Sequence, residues 1–195
     1  DSGYFPDQED LDAKFHELDE GGYRALEELK SSGEVAAIGA GINEIGMISR
    51  FLESADLDLF LVASRYTLLE QQIYEDEIVP AGKRGASIVV GGAFNSGILA
   101  TGIVDGAKYE YGEAPAEIVS KVQRLSNLAH DHGVPLPAAA LQFPLAAPEV
   151  ASLVFGAVTA QEVQENLRHA SANIPESFWS DLKSEGLIAQ SAPTP

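Results

Sequence analysis

Short continuous apolar runs alternate along this chain with longer stretches in which apolar residues recur every three or four positions. The runs are EVAAIG at 34–39, DLFLVA at 58–63, ASIVV at 86–90 and ASLVF at 151–155. Each is bounded by glycine or polar residues and is too short for a stable helix, so each predicts a buried strand. Between them the period changes to that of a helix. Tyr23, Leu26 and Leu29 share one face of a helix over 20–32, with Gly33 where a left-handed C-terminal residue belongs. Asn43 is expected to cap a helix carrying Ile45, Ile48 and Leu52. A further helix is expected over 69–84, ended or kinked by Pro80. Pro115 opens another, with Ile118, Val122, Leu125 and Ala129 on one face, and a companion follows over 136–146.

Thr159 and Glu162 have the spacing of a capping box ahead of Val163 and Leu167, and the last helix runs from near Pro175 through Phe178 and Leu182 to Gly186. Residues 1–19 read as an acidic entry loop and 188–195 as a flexible tail, around one partial domain over 1–195. Apolar strands alternating with amphipathic helices imply parallel strands covered on both faces, hence an α/β fold. An open doubly wound sheet and part of a closed (β/α)8 barrel both fit this alternation. A complete barrel takes about 250 residues and eight strands, so four units amount to half of one.

Charge removes several function classes. With 12 basic residues against 30 acidic, the formal charge of -18 repels nucleic-acid backbones and anionic lipid surfaces, so no nucleic-acid or membrane partner is expected. There is no cysteine for disulfides, thiolate metal sites or a thiol nucleophile, and no apolar run of the roughly 20 residues a membrane span needs. A cytoplasmic protein is expected. His130 and His132 stand two apart and would face different sides of a helix, so no metal site is expected. By spacing alone GGAFNSGILATG, residues 91–102, is a glycine-rich connection after a strand, matching neither GxGxxG nor a P-loop.

Four stretches carry a resemblance: GEVAAIGAGINE at 33–44, DLDLFLVASRYTLLEQ at 56–71, GASIVVGGAFNSGILATG at 85–102 and SLVFGAVTAQEVQENL at 152–167. In order and spacing the chain resembles the aldo-keto reductase family, in the branch of bacterial dehydrogenases acting on D-threo-aldoses, L-fucose and pyridoxal. The resemblance implies the last four strand-helix units of a (β/α)8 TIM barrel, so that the chain reads as the C-terminal half of a longer enzyme. It also implies a nicotinamide cofactor, NAD or NADP, and a sugar or small aldehyde substrate. The family's aspartate, tyrosine, lysine and histidine tetrad belongs to the other half, so no catalytic residue is assigned here and the chain alone should be inactive.

Carried over position by position, the resemblance puts Gly41 where the family usually has serine beside the nicotinamide, with Asn43 supplying an amide. Ala63 replaces a common glutamine, and Arg65 just beyond it becomes the candidate substrate contact. Gly91 replaces a stacking tyrosine, while Gly92, Phe94, Asn95 and Ser96 match the loop along the pyrophosphate. Gly156, Ala157, Val158 and Thr159 match the grip on the adenosine end, with Glu165 and Asn166 at the adenine. Members that take a 2'-phosphate often carry lysine and arginine where Gly156 and Glu162 stand; a carboxylate repels that phosphate, which favours NAD. A non-catalytic half-barrel that binds a nucleotide, a second copy or a missing N-terminal half is the alternative, and another phosphate-binding barrel enzyme a third.

Overall fold

The computed structural model describes residues 7–195. Its centre is a four-stranded parallel sheet: β1 Gly39–Ile42, β2 Leu59–Ala63, β3 Ser87–Gly91 and, after a two-residue-per-strand hairpin of β4 Lys108–Tyr109 and β5 Gly112–Glu113, β6 Val150–Val154. The order is β1-β2-β3-β6. All three pairings are parallel, with Gly41, Leu61, Val89 and Ser152 in one row across the sheet. This is four units of the (β/α)8 arrangement.

The strands present two unlike faces because alternate side chains point to opposite sides. Phe60, Val62, Ile88 and Val90 are buried in the same core as Leu52, Ile78, Val122 and Phe143 of the flanking elements. The other face, which a closed barrel would fill with layered side chains, leaves Leu61 40% and Val154 54% exposed. Among the described residues the sheet therefore has one dry face, one half-open face and two unpaired edges.

Helices cover the dry side: α3 Met47–Ser54, α4 Val79–Lys83, the single turn α5 Ile98–Thr101, α6 Ala116–Asp131, α7 Leu136–Leu145, α8 Ala160–Ala170 and α9 Glu176–Ser184, preceded by α1 Gln8–Glu17 and α2 Tyr23–Ser31. Pro115 and Pro175 stand immediately before α6 and α9, where their missing N–H costs nothing. Helix α8 differs from its expected packing. Its apolar residues Val163 and Leu167 are 41% and 59% exposed, and none of its residues is buried.

Several boundaries differ from the sequence expectation for identifiable reasons. The supposed entry loop contains α1, because Leu11 and Phe15 lie one turn apart and are buried. The Phe15 ring sits 4.9 Å from that of Phe51 and under the guanidinium of Arg50. A π turn over Leu18–Gly22 joins α1 to α2; residues 1–6 of the expected loop lie outside the described residues. The tail expected over 188–195 is packed: Ile188 and Ala192 are buried, and the Ala189 N–H donates to Gln71.

The first strand begins at Gly39, five residues later than expected, because Asp58 reaches back to it. Its Oδ2 accepts from the Ile38 N–H at 2.9 Å, its Oδ1 pairs with Lys30 at 2.5 Å, and its own N–H donates to the Ile38 carbonyl. Gly39 follows where a Cβ would stand 2.3 Å from the Leu59 carbonyl oxygen, so only glycine allows the two strands to meet there.

Two helix starts also move. Residues 64–72 form turns around Thr67, whose Oγ1 accepts from the N–H groups of Leu69 and Glu70, so the helix expected from 69 begins only with the π turn Tyr74–Ile78. Pro80 is the second residue of α4 and does not end it; the Val79 N–H reaches back to Tyr74, the wider turn of a π segment. Asn43 does not cap α3. Gly46, in the left-handed region at φ 91°, occupies the cap position, and the orphan N–H groups of Gly46 and Ile48 donate to the carboxylate of Glu77 at 2.6 and 3.0 Å. Glu77 is only 3% exposed, so this remote carboxylate is the buried cap of the helix.

Among the described residues no helix is long and apolar enough to cross a membrane.

Removing the Glu77 carboxylate leaves two amide donors without their acceptor, that of Ile48 in the interior and that of Gly46 toward the surface. Glu77→Ala should lower stability by about 3 kcal/mol, and Glu77→Gln, which keeps one acceptor, by less, as measured by urea unfolding. For Asp58, the Lys30 ammonium and then the Ile38 N–H hold the carboxyl below its ordinary 3.8. A depressed folded value gives stability that is complete above 3.8 and lost as pH falls through the folded value. Asp58→Asn should therefore flatten the acid limb of the stability profile below that pH.

Candidate functional site

The C-terminal ends of parallel strands point their loops to one rim, which is where barrel sites are built. Here the four ends are Ile42, Ala63, Gly91 and Val154. At the second, Ser64 adopts φ 60°, and its N–H donates to the Gly91 carbonyl at 2.9 Å. That turn sends Tyr66 into the core, stacked on Tyr74 at 5.2 Å, and leaves Arg65 at the rim. The Arg65 Nε donates to the Asn43 carbonyl at 2.6 Å, tying the loop after β2 to the loop after β1.

After β3 the chain winds through left-handed residues: Gly92 at φ 66°, Asn95 at 45°, Ser96 at 59° and Gly97 at 99°. For Asn95 and Ser96 such angles cost about 1 kcal/mol each, a strain that persists only where surrounding contacts over-determine it. A Cβ on Gly92 would meet the Ser64 Oγ at 2.5 Å and its backbone N at 3.3 Å. Asn95 is 2% exposed; its Nδ2 reaches the Ser64 carbonyl at 3.5 Å, and its Oδ1 is buried without a hydrogen-bond partner.

The β4–β5 hairpin crosses this rim and is fastened by three consecutive residues. The Tyr109 hydroxyl donates a short hydrogen bond to Glu70; burial, then that carboxylate, pushes its phenol well above the usual tyrosine range. Glu110 pairs with Arg65 Nη1 at 2.5 Å, and the Tyr111 N–H donates to the Ser96 Oγ at 3.1 Å. Glu110 and Tyr111 are both left-handed, at φ 48° and 65°, as a tight two-residue hairpin turn requires.

Beyond the glycine loop a cleft of ≈ 430 Å³ opens between it and α8. One wall is Phe94, Gly97, Ala100, Thr101 and Pro137; the other is Gly156 with Glu162, Glu165, Asn166 and His169. The cleft thus gathers Phe94, Gly156, Glu162, Glu165 and Asn166 of the expected residues. Gly41, Asn43, Gly91, Gly92, Asn95 and Ser96 lie instead along the strand ends and their loops, outside its lining. Ala157 and Val158 are exposed in the connection to α8. Thr159 is the N-cap: its Oγ1 accepts from the Glu162 N–H at 3.1 Å, the forward bond of a capping box, while the Glu162 carboxylate accepts at 2.8 Å from the N–H of Val158, the residue before the cap.

Sequence reasoning passed over Gly97, Ala100, Thr101, Pro137 and His169. For His169 a signal was present: residues 162, 165, 166 and 169 are spaced i, i+3, i+4 and i+7, one face of a helix. The walls contributed by α5 and α7 carried none, since small residues and proline there read only as packing. A larger cleft of ≈ 520 Å³ lies between residues 103–107, the hairpin and Val119, and none of the sequence-predicted site residues lines it.

Comparisons with known proteins agree with this layout. The profile of the Aldo/keto reductase family matches residues 6–185. Pyridoxal 4-dehydrogenase of Microbacterium luteolum is 44% identical over 170 residues, covering 87% of this chain and 49% of that protein. D-threo-aldose 1-dehydrogenase of a Pseudomonas species is 38% identical over 192 residues, covering 97% of this chain and 56% of its own length. The chain thus spans about half the length of these curated relatives. Two solved structures share the fold: an aldo-keto reductase of Bacillus halodurans in its holo form, TM-score 0.66 at 21% identity over 87% of this chain and 56% of that one, and a glycerol dehydrogenase of Gluconobacter oxydans, TM-score 0.67 at 19% identity over 91% and 56%.

Because the Ser64–Gly91–Gly92 contact sets the path of the rim loop, Gly92→Ala should cost about 1–2 kcal/mol in thermal or urea unfolding. It should also alter the backbone amide shifts of residues 92–97 in an NMR spectrum while leaving α9 unchanged.

Proposed function

Because the chain belongs to the aldo/keto reductase family, we propose that it is the cofactor-holding half-barrel of a cytoplasmic oxidoreductase. Such an enzyme transfers a hydride between NAD or NADP and a sugar or a small aldehyde or alcohol. The observation that carries this reading is the cleft between the glycine loop and α8. Phe94 and Pro137 offer apolar surface for a heterocycle, and across from them Glu165 and Asn166 offer hydrogen-bonding groups for its edge. In this reading the pyrophosphate runs along residues 92–97, with Gly92, Phe94, Asn95 and Ser96 beside it. The nicotinamide end lies toward Gly41, Asn43 and Gly91, and Arg65 faces the substrate.

The bound cofactor supplies the hydride acceptor or donor, and what this chain supplies is position. Gly156, Ala157, Val158 and Thr159, in the connection that leads into α8, grip the adenosine end. No acid-base residue is assigned among these positions. The proton on the carbonyl oxygen is handled by groups outside this chain, and the 195-residue chain by itself turns nothing over. The half-open sheet face, with Leu61 and Val154, and the apolar stripe Val163 and Leu167 of α8 support association with a further half-barrel or a second copy. The names of the two curated relatives support an aldose or an aromatic aldehyde as substrate.

The capping box also supports NAD over NADP. The Glu162 carboxylate is tied to the Val158 N–H on the cleft wall, so a 2'-phosphate meets a negative charge and finds that donor already used. In fluorescence titrations NADH should bind the chain more tightly than NADPH, and Glu162→Arg should shift the ratio toward NADPH by roughly tenfold. A parent protein that already prefers NADPH strongly would overturn the charge argument. Failure to bind either nucleotide would overturn the cofactor reading itself.

A further inference from the structure

Arg65 is the candidate substrate contact, yet its charge is already answered. Glu110 meets Nη1 at 2.5 Å, and the Asn43 carbonyl takes the Nε–H at 2.6 Å, which leaves further guanidinium donors directed by a group that is held in place but electrically balanced. The pair is half-sheltered, with side chains 24% and 47% exposed. Glu110 has not drifted there as a surface side chain might. It stands at the tip of a hairpin in the left-handed region, between Tyr109 bonded to Glu70 and Tyr111 bonded to Ser96. Three neighbouring residues thus hold one carboxylate over one guanidinium.

We propose that Glu110 determines substrate specificity by charge: it neutralises Arg65, so the rim accepts uncharged hydroxylated aldehydes and disfavours anionic ones such as aldehyde carboxylates or sugar phosphates. Arg65 then serves as a hydrogen-bond donor of fixed orientation. An anionic substrate gains nothing from it without displacing Glu110, and the displaced carboxylate remains close enough to repel it. This rests on the placement of Arg65 at the substrate mouth. It adds to that placement a residue, Glu110, which the hairpin brings from 45 positions further along the chain.

Two C2 aldehydes test this on the 195-residue chain, glyoxylate with a carboxylate and glycolaldehyde with a neutral hydroxymethyl group in its place, each titrated while the Arg65 Nε–H resonance is followed by NMR. Glu110→Gln should tighten glyoxylate binding by about fivefold, the scale of a partly exposed ion pair, and change glycolaldehyde by less than twofold. Glu113→Gln removes the same charge from the same hairpin without touching Arg65, and should leave both ligands unchanged. In Arg65→Ala/Glu110→Gln the glyoxylate gain should vanish. An equal gain in Glu113→Gln, a gain that survives loss of Arg65, or no gain in Glu110→Gln would each overturn the proposal. An NADH titration of the same samples separates the two readings: its failure would count against the cofactor site, whereas the glyoxylate ratio reports on Glu110 alone.

Discussion

A parallel strand is bonded on both sides and presents apolar side chains on both faces, so its stability depends on what covers each face. In this chain the helices cover one face completely. Phe60, Val62, Ile88 and Val90 are wholly excluded from solvent, and the elements that exclude them account for most of the core. The opposite face has no such cover, and Leu61 and Val154 remain partly open. Everything else in the molecule is arranged around this inequality: helices on one side, and a rim of loops whose ends all emerge at one edge of the sheet.

That rim is built by close approach. Gly39 lets β1 reach β2 at the start of the sheet, and the contact of Gly92 with Ser64 does the same at its end. Between these points the parallel register holds Ala63 opposite Gly91, so the turns after β2 and β3 begin at the same height. Left-handed residues then gather in the rim loops and the hairpin, where several independent hydrogen bonds hold them. Strain placed there directs Arg65, Asn95 and Glu110 to positions that relaxed loops would not specify. Beyond the rim, the cleft at α8 sets Phe94 and Pro137 opposite Glu162, Glu165 and Asn166.

Much of this was legible in the residues. The alternation of apolar runs with helical periods identified the α/β class and three of the four strands to within a residue, and the spacing of Thr159 and Glu162 identified a cap whose forward bond forms. These features are local, since a helix cap or a strand reports itself through residues a few positions apart. The failures were of the opposite kind. Asn43 has the chemistry of a cap, but Glu77, 31 positions beyond Gly46, does the capping of α3 from the interior. The start of β1 was decided by Asp58, 20 positions away. Helix α1 went unread because its two buried residues, Leu11 and Phe15, are sparse among acidic neighbours, and the Phe51 ring and Arg50 guanidinium against which Phe15 packs come from α3.

The sequence by itself therefore determined what depends on period and short spacing: the class of fold, the order of its units, the glycine-rich loop after the third strand and the acidic character of the helix at the cleft. The tertiary structure alone decided which of those polar groups are already engaged. It bound Glu162 to Val158, Arg65 to Glu110 and Asn43, and it left the Asn95 Oδ1 buried without a partner. The physical reason is that a side chain's charge and donors are spent on whatever lies within about 3 Å, and at that distance the neighbours come from distant parts of the chain.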